Sequence, residues 1–416
     1  IDQSGSVEWE KTFGDKDHLP LTVKKADQEG FDVFGVDNAQ QAIFMAYLSE
    51  SLEAQDITPI YYTSLGGNQH LNSVRQTLDG GYLLAGATND QMLFVKIDRE
   101  GAIEGQWSPS PGAGVDATEH DGNFIFLGDR GDNNVELIKM APTSQDSTWA
   151  TTMGGTGLEL ARALEKTESG FVVFGSTNSP AKAEGGDDYD IFWVQTDFNG
   201  NPLTPFPGQI IGERNRNEFV MAVTDHSPSD NSNFTLIGAA ENETGDYDVH
   251  LTRIDSENPT SLVWQKVFGS TRDDLGVFVI PEDGGGLRIG GMVEGDVNEF
   301  DNPSNFSFRG RLWLARTNEE GNISPSSTPI PDMSLSSSQQ VALNLSIFFR
   351  DIGGDPLTYS AEGLPAGLSL DPETGRVTGT TPQVDTDTLY ENIRITATDD
   401  GNLKTMESFT LTILAQ

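Results

Sequence analysis

The sequence contains no cysteine, which excludes disulfides, zinc–thiolate sites and thiol nucleophiles. Positive charge is scarce: 25 Lys and Arg stand against 64 Asp and Glu, a formal net charge of −39. A chain this acidic repels nucleic-acid phosphates and anionic lipid, so neither is expected as a partner. Apolar residues make up 36% of the chain, enough for buried cores, yet no apolar run approaches the roughly 18 residues of a membrane span. The five histidines, His18, His70, His120, His226 and His250, stand apart from one another with no spacing that suggests a metal site or a catalytic triad. No stretch carries a convincing helical period. The chain opens on Ile1, with no basic, apolar leader, and Ile1–Gly5 copies the tail of a repeat strand, Ile97–Gly101. It reads as a piece of a longer product.

What the sequence does contain is a repeat. The clearest copy, from Leu71 to Gly112, runs SVRQTLDGG, YLLAGAT and MLFVKIDREG to a polar turn, Trp107 and Gly112. Its short β-branched and apolar runs, bounded by Asp, Gly and Asn, are the signature of strands and turns. Three anchors recur. The first is a glycine ending the second strand: Gly35, Gly86, Gly128, Gly175, Gly238 and Gly290. The second is the third strand, in the forms IFMAYL, MLFVKID, VELIKM, IFWVQTD, VHLTRID and LWLARTN. The third is an aromatic residue four positions before an apolar residue and a glycine, as in Trp149-Met153-Gly154 and Trp264-Phe268-Gly269.

Four strands per unit, six times over, predict a six-bladed β-propeller across residues 1–321. The sixth unit lacks a Trp-type last strand, and Val7–Gly14 supplies one, so the N-terminal strand is expected to close the last blade and remove two exposed sheet edges. The longest interruptions, Ser179–Asp188, Ser227–Asn233 and Gly295–Phe308, are polar loops of the kind that carry binding function on a rigid scaffold.

After Gly321 the texture changes. Residues 322–331 form a Pro/Ser linker, and residues 332–416 hold six or seven short strand patterns, an Ig/cadherin-like β-sandwich. The predicted fold class is therefore all-β throughout.

The repeat, carried by Trp264–Gly269, Asp79–Gly86 and Asp188–Gly200, resembles propeller repeats of secreted and surface proteins of the Bacteroidota. The C-terminal segment is similar to cadherin-like and dystroglycan-type Ig domains of surface proteins, through Phe349–Tyr359, Gly363–Pro365, Gly367–Asp371, Gly375–Thr380 and Ile395–Gly401. The resemblance implies adhesin-like or spacer modules outside the cell.

Calcium is the metal these residues invite. Asp351, Asp355 and Asp399, with Asp400, could supply hard oxygen ligands at one end of the sandwich, although Asp and Gly together are also ordinary turn chemistry. A second acidic set, Asp187, Asp188 and Asp190 with Asp246 and Asp248, recurs before successive third strands and reads as a shared turn in which carboxylates cap backbone N–H groups. The blade-end aromatics read as packing between sheets. No nucleophile elbow or sialidase-type repeat is present. The expectation is a non-enzymatic extracellular surface or appendage protein acting in adhesion or assembly. Its partners would be copies of itself or a cell-surface protein or glycan, with no cofactor beyond calcium. The alternative is a carbohydrate-binding or carbohydrate-processing propeller enzyme.

Overall fold

The structure, a computed structural model, describes residues 17–26, 30–49, 59–179, 188–213, 215–225, 233–255, 262–282, 285–298 and 307–415. Beyond two short 3₁₀ turns, at Thr63–Leu65 and Ser346–Phe348, the described elements are β-strands. The chain divides into two compact units, Ile1–Ser232 and Asn233–Gln416.

The first unit contains four antiparallel sheets, each of four strands in chain order: 18–61, 69–107, 112–153 and 159–211, followed by the strand Glu218–Asp225. In the second of these, Gln69–Gln76, Tyr82–Thr88, Gln91–Ile97 and Ile103–Trp107 pair in turn. The second and third strands are buried on both faces, Phe34, Phe44, Phe94, Phe126, Phe171 and Phe192 each showing no exposed surface. This is why their sequences are almost continuously apolar. Phe94 of one sheet stacks on Phe126 of the next, centroids 4.1 Å apart and planes 2° from parallel.

Every described first strand whose register is defined carries a bulge at one place, immediately after the residue paired with the anchor glycine or its neighbour. The breaks fall at Pro20/Thr22, Leu71/Ser73, Gly114/Asp116, Ala161/Ala163 and, in the second unit, Gly276/Phe278. A bulge leaves ladder groups unpaired and bends the strand. At the Ala161 bulge the preceding sheet supplies a side chain: Asp129 Oδ1 accepts from Ala161 N at 2.7 Å. Burial lifts the Asp129 carboxyl to about 7 despite that bond and the nearby Arg162.

The aromatic anchor also acts across sheets. The turns Asp98–Gly101, Asp197–Gly200 and Asn318–Gly321 each end on a glycine, with φ of 86°, 77° and 78°. Tyr62, the neighbour of the first sheet's anchor Tyr61, donates to Gly101 O at 3.1 Å, and Trp264 Nε1 donates to Glu319 O at 3.0 Å. A Cβ on Gly200 would lie 2.5 Å from the Trp149 ring. The aromatic anchors Trp149 and Trp264 are thus explained by packing: each covers the glycine turn of the following sheet. Gly200→Ala is expected to cost roughly 2 kcal/mol, through left-handed backbone and ring displacement, read by thermal unfolding and a shift in tryptophan emission.

The second unit holds the sheets Asn233–Glu241, Tyr247–Asp255, Leu262–Phe268 and Asp273–Pro281, Leu287–Asn298, Ser307–Thr317. An Ig-like sandwich follows. One of its sheets orders Met333–Ser336, Lys404–Leu414, Thr388–Thr398 and Thr358–Glu362; the other orders Gln340–Asn344, Arg376–Thr380 and Leu368–Leu370. Ile393, Ile395 and Ala397 alternate inward, as do Phe409, Leu411 and Ile413, and they meet Phe349 and Val377 in one core. Ile330 joins this core and Ser326–Ser327 pairs with Phe349–Arg350, so the Pro/Ser stretch is already woven into the sandwich. The expected closing strand Val7–Gly14, along with Asp187 and most of the three long loops, lies outside the described residues.

Candidate functional site

The three aspartates singled out as calcium ligands are brought to one end of the sandwich by strand register. Thr358 pairs with Thr398, so Asp355, three residues before the one strand position, and Asp399, one after the other, emerge at the same edge. Asp351 lies in the same loop as Asp355, whose N–H donates to Asp351 Oδ1 at 3.4 Å. Asp399 is 4% exposed; its Oδ1 accepts from Leu403 N at 2.8 Å, closing the turn into the last strand.

One oxygen of each is left over. Asp351 Oδ2 and Asp399 Oδ2 are buried without a hydrogen-bond partner. Burial raises both carboxyls above the ordinary range; Asp355 and Asp399 push Asp351 further, while Asp355 and Asp400 push Asp399. Asn322 adjoins the same corner: a Cβ on Gly401 would lie 3.1 Å from Asn322 Nδ2 and 3.3 Å from Asp399 Oδ1. Among the described residues no three His, Cys, Asp or Glu side chains are gathered tightly enough to hold a metal as they stand. An ion here would draw the aspartates inward and complete its shell with carbonyl or water oxygens.

A second polar group went unremarked in the sequence. Arg75, on the strand Gln69–Gln76, reaches Asp116 of Gly112–His120 at 2.6 Å and Glu165 of Glu159–Lys166 at 2.8 Å, and donates to Leu164 O at 2.7 Å. Ser73 Oγ and Leu164 N also donate to Asp116, at 2.8 and 3.0 Å. First strands of three successive sheets therefore converge on one guanidinium, as a radial arrangement of sheets requires. Although burial disfavours its charge, the two carboxylates hold the Arg75 pKa well above its usual value. Burial raises Glu165, with Arg75 opposing. Scattered acids and bases on separate strands gave no motif, so only the fold reveals this group.

Asp248 differs from the turn-capping role expected of it. Asp248 Oδ2 accepts from the Asn242 side chain at 3.0 Å, and backbone capping falls to other residues, such as Asp197 toward Asn199 N and Asn201 N and Asn242 toward Thr244 N. Asp248 instead lies beside Asp274, the acid that opens the next first strand: a Cβ on Gly269 would be 2.1 Å from Asp248 Oδ1 and 2.7 Å from Asp274 Oδ2.

Serial four-stranded meanders joined through their first strands, followed by a two-sheet sandwich, define an all-β protein of β-propeller type with a C-terminal Ig-like domain. Residues 324–414 match the family model described as "Putative Ig domain". No curated protein matches the chain. Among solved structures, it is similar to Drosophila Plexin A in complex with Semaphorin 1b, at 7% identity over 73% of this chain and 79% of that one, TM-score 0.41. A protein from Lactobacillus plantarum shares 13% identity over 63% and 84%, TM-score 0.39. The complex of KlAtg21 with the coiled-coil of AgAtg16 shares 9% over 94% and 100%, TM-score 0.43.

Proposed function

We propose that this chain is a non-enzymatic extracellular surface or appendage protein, serving adhesion or assembly. Its six-bladed propeller presents loops to a partner, and its Ig-like sandwich, which incorporates part of the 322–331 stretch expected as a linker, acts as spacer. The partner is a second copy or a cell-surface protein or glycan. The observation that carries the reading is the corner formed by Asp351, Asp355 and Asp399. Two buried, unpartnered carboxylate oxygens lie there beside Asn322, at the entry to the sandwich. Calcium on these oxygens would cancel their repulsion and stiffen the spacer where the chain enters it.

Removing one charge gives a signed test. Both carboxyls are raised, so without metal they contribute stability below the ordinary aspartate range that is lost as pH rises. Asp351→Asn is expected to melt no lower than the wild type in chelator at pH 7, and to lose the calcium-dependent rise in melting temperature that the wild type shows. A wild type whose melting temperature ignores calcium contradicts the metal assignment.

The adhesive role is tested on a panel of immobilised polysaccharides and surface glycoproteins, reading both retention of the protein and release of soluble product. Retention without product is expected. Product release would favour a carbohydrate-processing enzyme.

A further inference from the structure

Two boundaries between successive sheets, one in each unit, set a pair of oxygens face to face beside a glycine. A Cβ on Gly154 would lie 1.9 Å from Asn134 Oδ1 and 2.8 Å from Glu159 Oε2. Gly269 stands in the same relation to Asp248 Oδ1 and Asp274 Oδ2. In both cases the glycine follows the last strand of one sheet, Ser147–Met153 or Leu262–Phe268. One oxygen comes from the beginning of that sheet's third strand, Val135–Met140 or Tyr247–Asp255. The other comes from the beginning of the next sheet's first strand, Glu159–Lys166 or Asp273–Pro281.

The remaining bonds of each side chain turn these oxygens toward the gap. Asn134 Nδ2 donates to Asp132 O at 3.0 Å, which leaves its Oδ1 on the side of Glu159. Glu159 is 1% exposed, and its Oε1 alone accepts from Thr177 Oγ1, at 3.0 Å, and from Ser179 Oγ. Its Oε2 is buried with no hydrogen-bond partner. Asp248 repeats the pattern: Oδ2 accepts from the Asn242 side chain, and Oδ1 is buried without a partner. Asp274, fully buried, accepts one bond at each oxygen, from Glu294 N at 2.8 Å and from Ser270 N.

Acceptors cannot satisfy one another, and a buried oxygen without a donor is costly. A hard cation satisfies both at once. Calcium takes oxygen at about 2.3–2.6 Å, so one ion bridges oxygens roughly 3–5 Å apart. Both members of each pair lie within 2.8 Å of a single point, which the Cβ of any residue but glycine would fill. We propose that Asn134 with Glu159, and Asp248 with Asp274, form two calcium sites, each tying a third strand to the first strand of the next sheet. Backbone carbonyl and water oxygens complete the shells. Among the described residues neither site gathers three acidic side chains. Affinity is therefore expected in the weak range, about 10⁻⁴–10⁻³ M. A chain of net charge −39 concentrates divalent cations around itself, which favours occupancy. Both sites are separate from the corner at Asp351, Asp355 and Asp399.

The test is equilibrium dialysis of the full chain against calcium in about 1 M potassium chloride, where a Debye length of about 3 Å screens diffuse binding. Asp351→Asn with Asp399→Asn is the background, so that failure of the corner site and failure of these two sites read separately. The background is expected to hold two ions per chain. Glu159→Gln added to it should lose one, and Asp248→Asn the other. A background that binds no calcium saturably overturns the proposal, since water or a proton then serves the oxygens. So does a protein carrying both Glu159→Gln and Asp248→Asn that keeps both ions. Should Glu159→Gln fail to fold, Asn134→Asp decides. A carboxylate added to the first pair is expected to tighten its calcium roughly tenfold, because affinity follows ligand charge. Unchanged affinity overturns the assignment.

Discussion

Arg75→Ala is expected to lower unfolding stability by roughly 3 kcal/mol, the range found when one partner of a buried charge pair is removed. Arg75 is 30% exposed at its side chain, whereas Asp116 and Glu165 are 5% and 14% exposed, so truncation strands two carboxylates away from water. The cost comes mainly from those stranded charges. Arg75→Met combined with Asp116→Asn and Glu165→Gln should therefore recover at least half of the loss. A single Arg75→Ala within about 0.5 kcal/mol of the wild type, as surface substitutions usually are, would show that the guanidinium does not tie the three strands together.

Phe126→Ala is expected to cost about 3–5 kcal/mol, because the ring is fully buried and packs on Phe94 and Trp107 from the preceding sheet. The loss combines the transfer energy of the ring with a cavity between two sheets that rigid neighbours cannot close. Phe126→Leu should recover much of it. Chemical denaturation of both variants checks the order. Equal loss from alanine and leucine would mean that ring stacking, not filled volume, holds the boundary.

The two effects differ in how far the sequence foretells them. Phe126 sits in FIFLG, one of the repeated second strands, and every such run lies in a strand, although each strand continues at least two residues past the anchor glycine expected to end it. Each third-strand motif also lies within a described strand, from Ala42–Ser49 to Ser307–Thr317, save the final residues Asp98 and Asn318. Period and turn chemistry are local, so they survive in the linear text. The cation of the third strand and the acid of the first turn are a further local case: Lys96 meets Asp79 at 3.0 Å, and Arg316 meets Glu282 at 3.2 Å.

Arg75, Asp116 and Glu165 are legible only afterwards, since 90 residues separate the ends of that group and none occupies a repeated slot. The acids that open first strands lie between these extremes. Glu159, Glu218 and Asp274 follow the anchor glycines Gly154, Gly212 and Gly269 at intervals of five or six residues. The varying interval hides them from a strict-period search. Asp248, beside Asp274, was visible as an acid, but which face it turned to could not be read from composition. Asp351, Asp355 and Asp399 were legible as candidates from the oxygen chemistry of aspartate and the cadherin-like resemblance, while the register that sets Thr358 opposite Thr398 emerges only in the fold.

The most direct measurement is the solution mass of the full chain by light scattering, in calcium and again in chelator, beside an Asp351→Asn, Asp399→Asn double variant. An assembling surface subunit predicts a defined oligomer in calcium that falls to single-chain mass in chelator and in the variant. A wild type that keeps single-chain mass in both buffers, over concentrations where surface proteins crowd together, would contradict assembly by this chain.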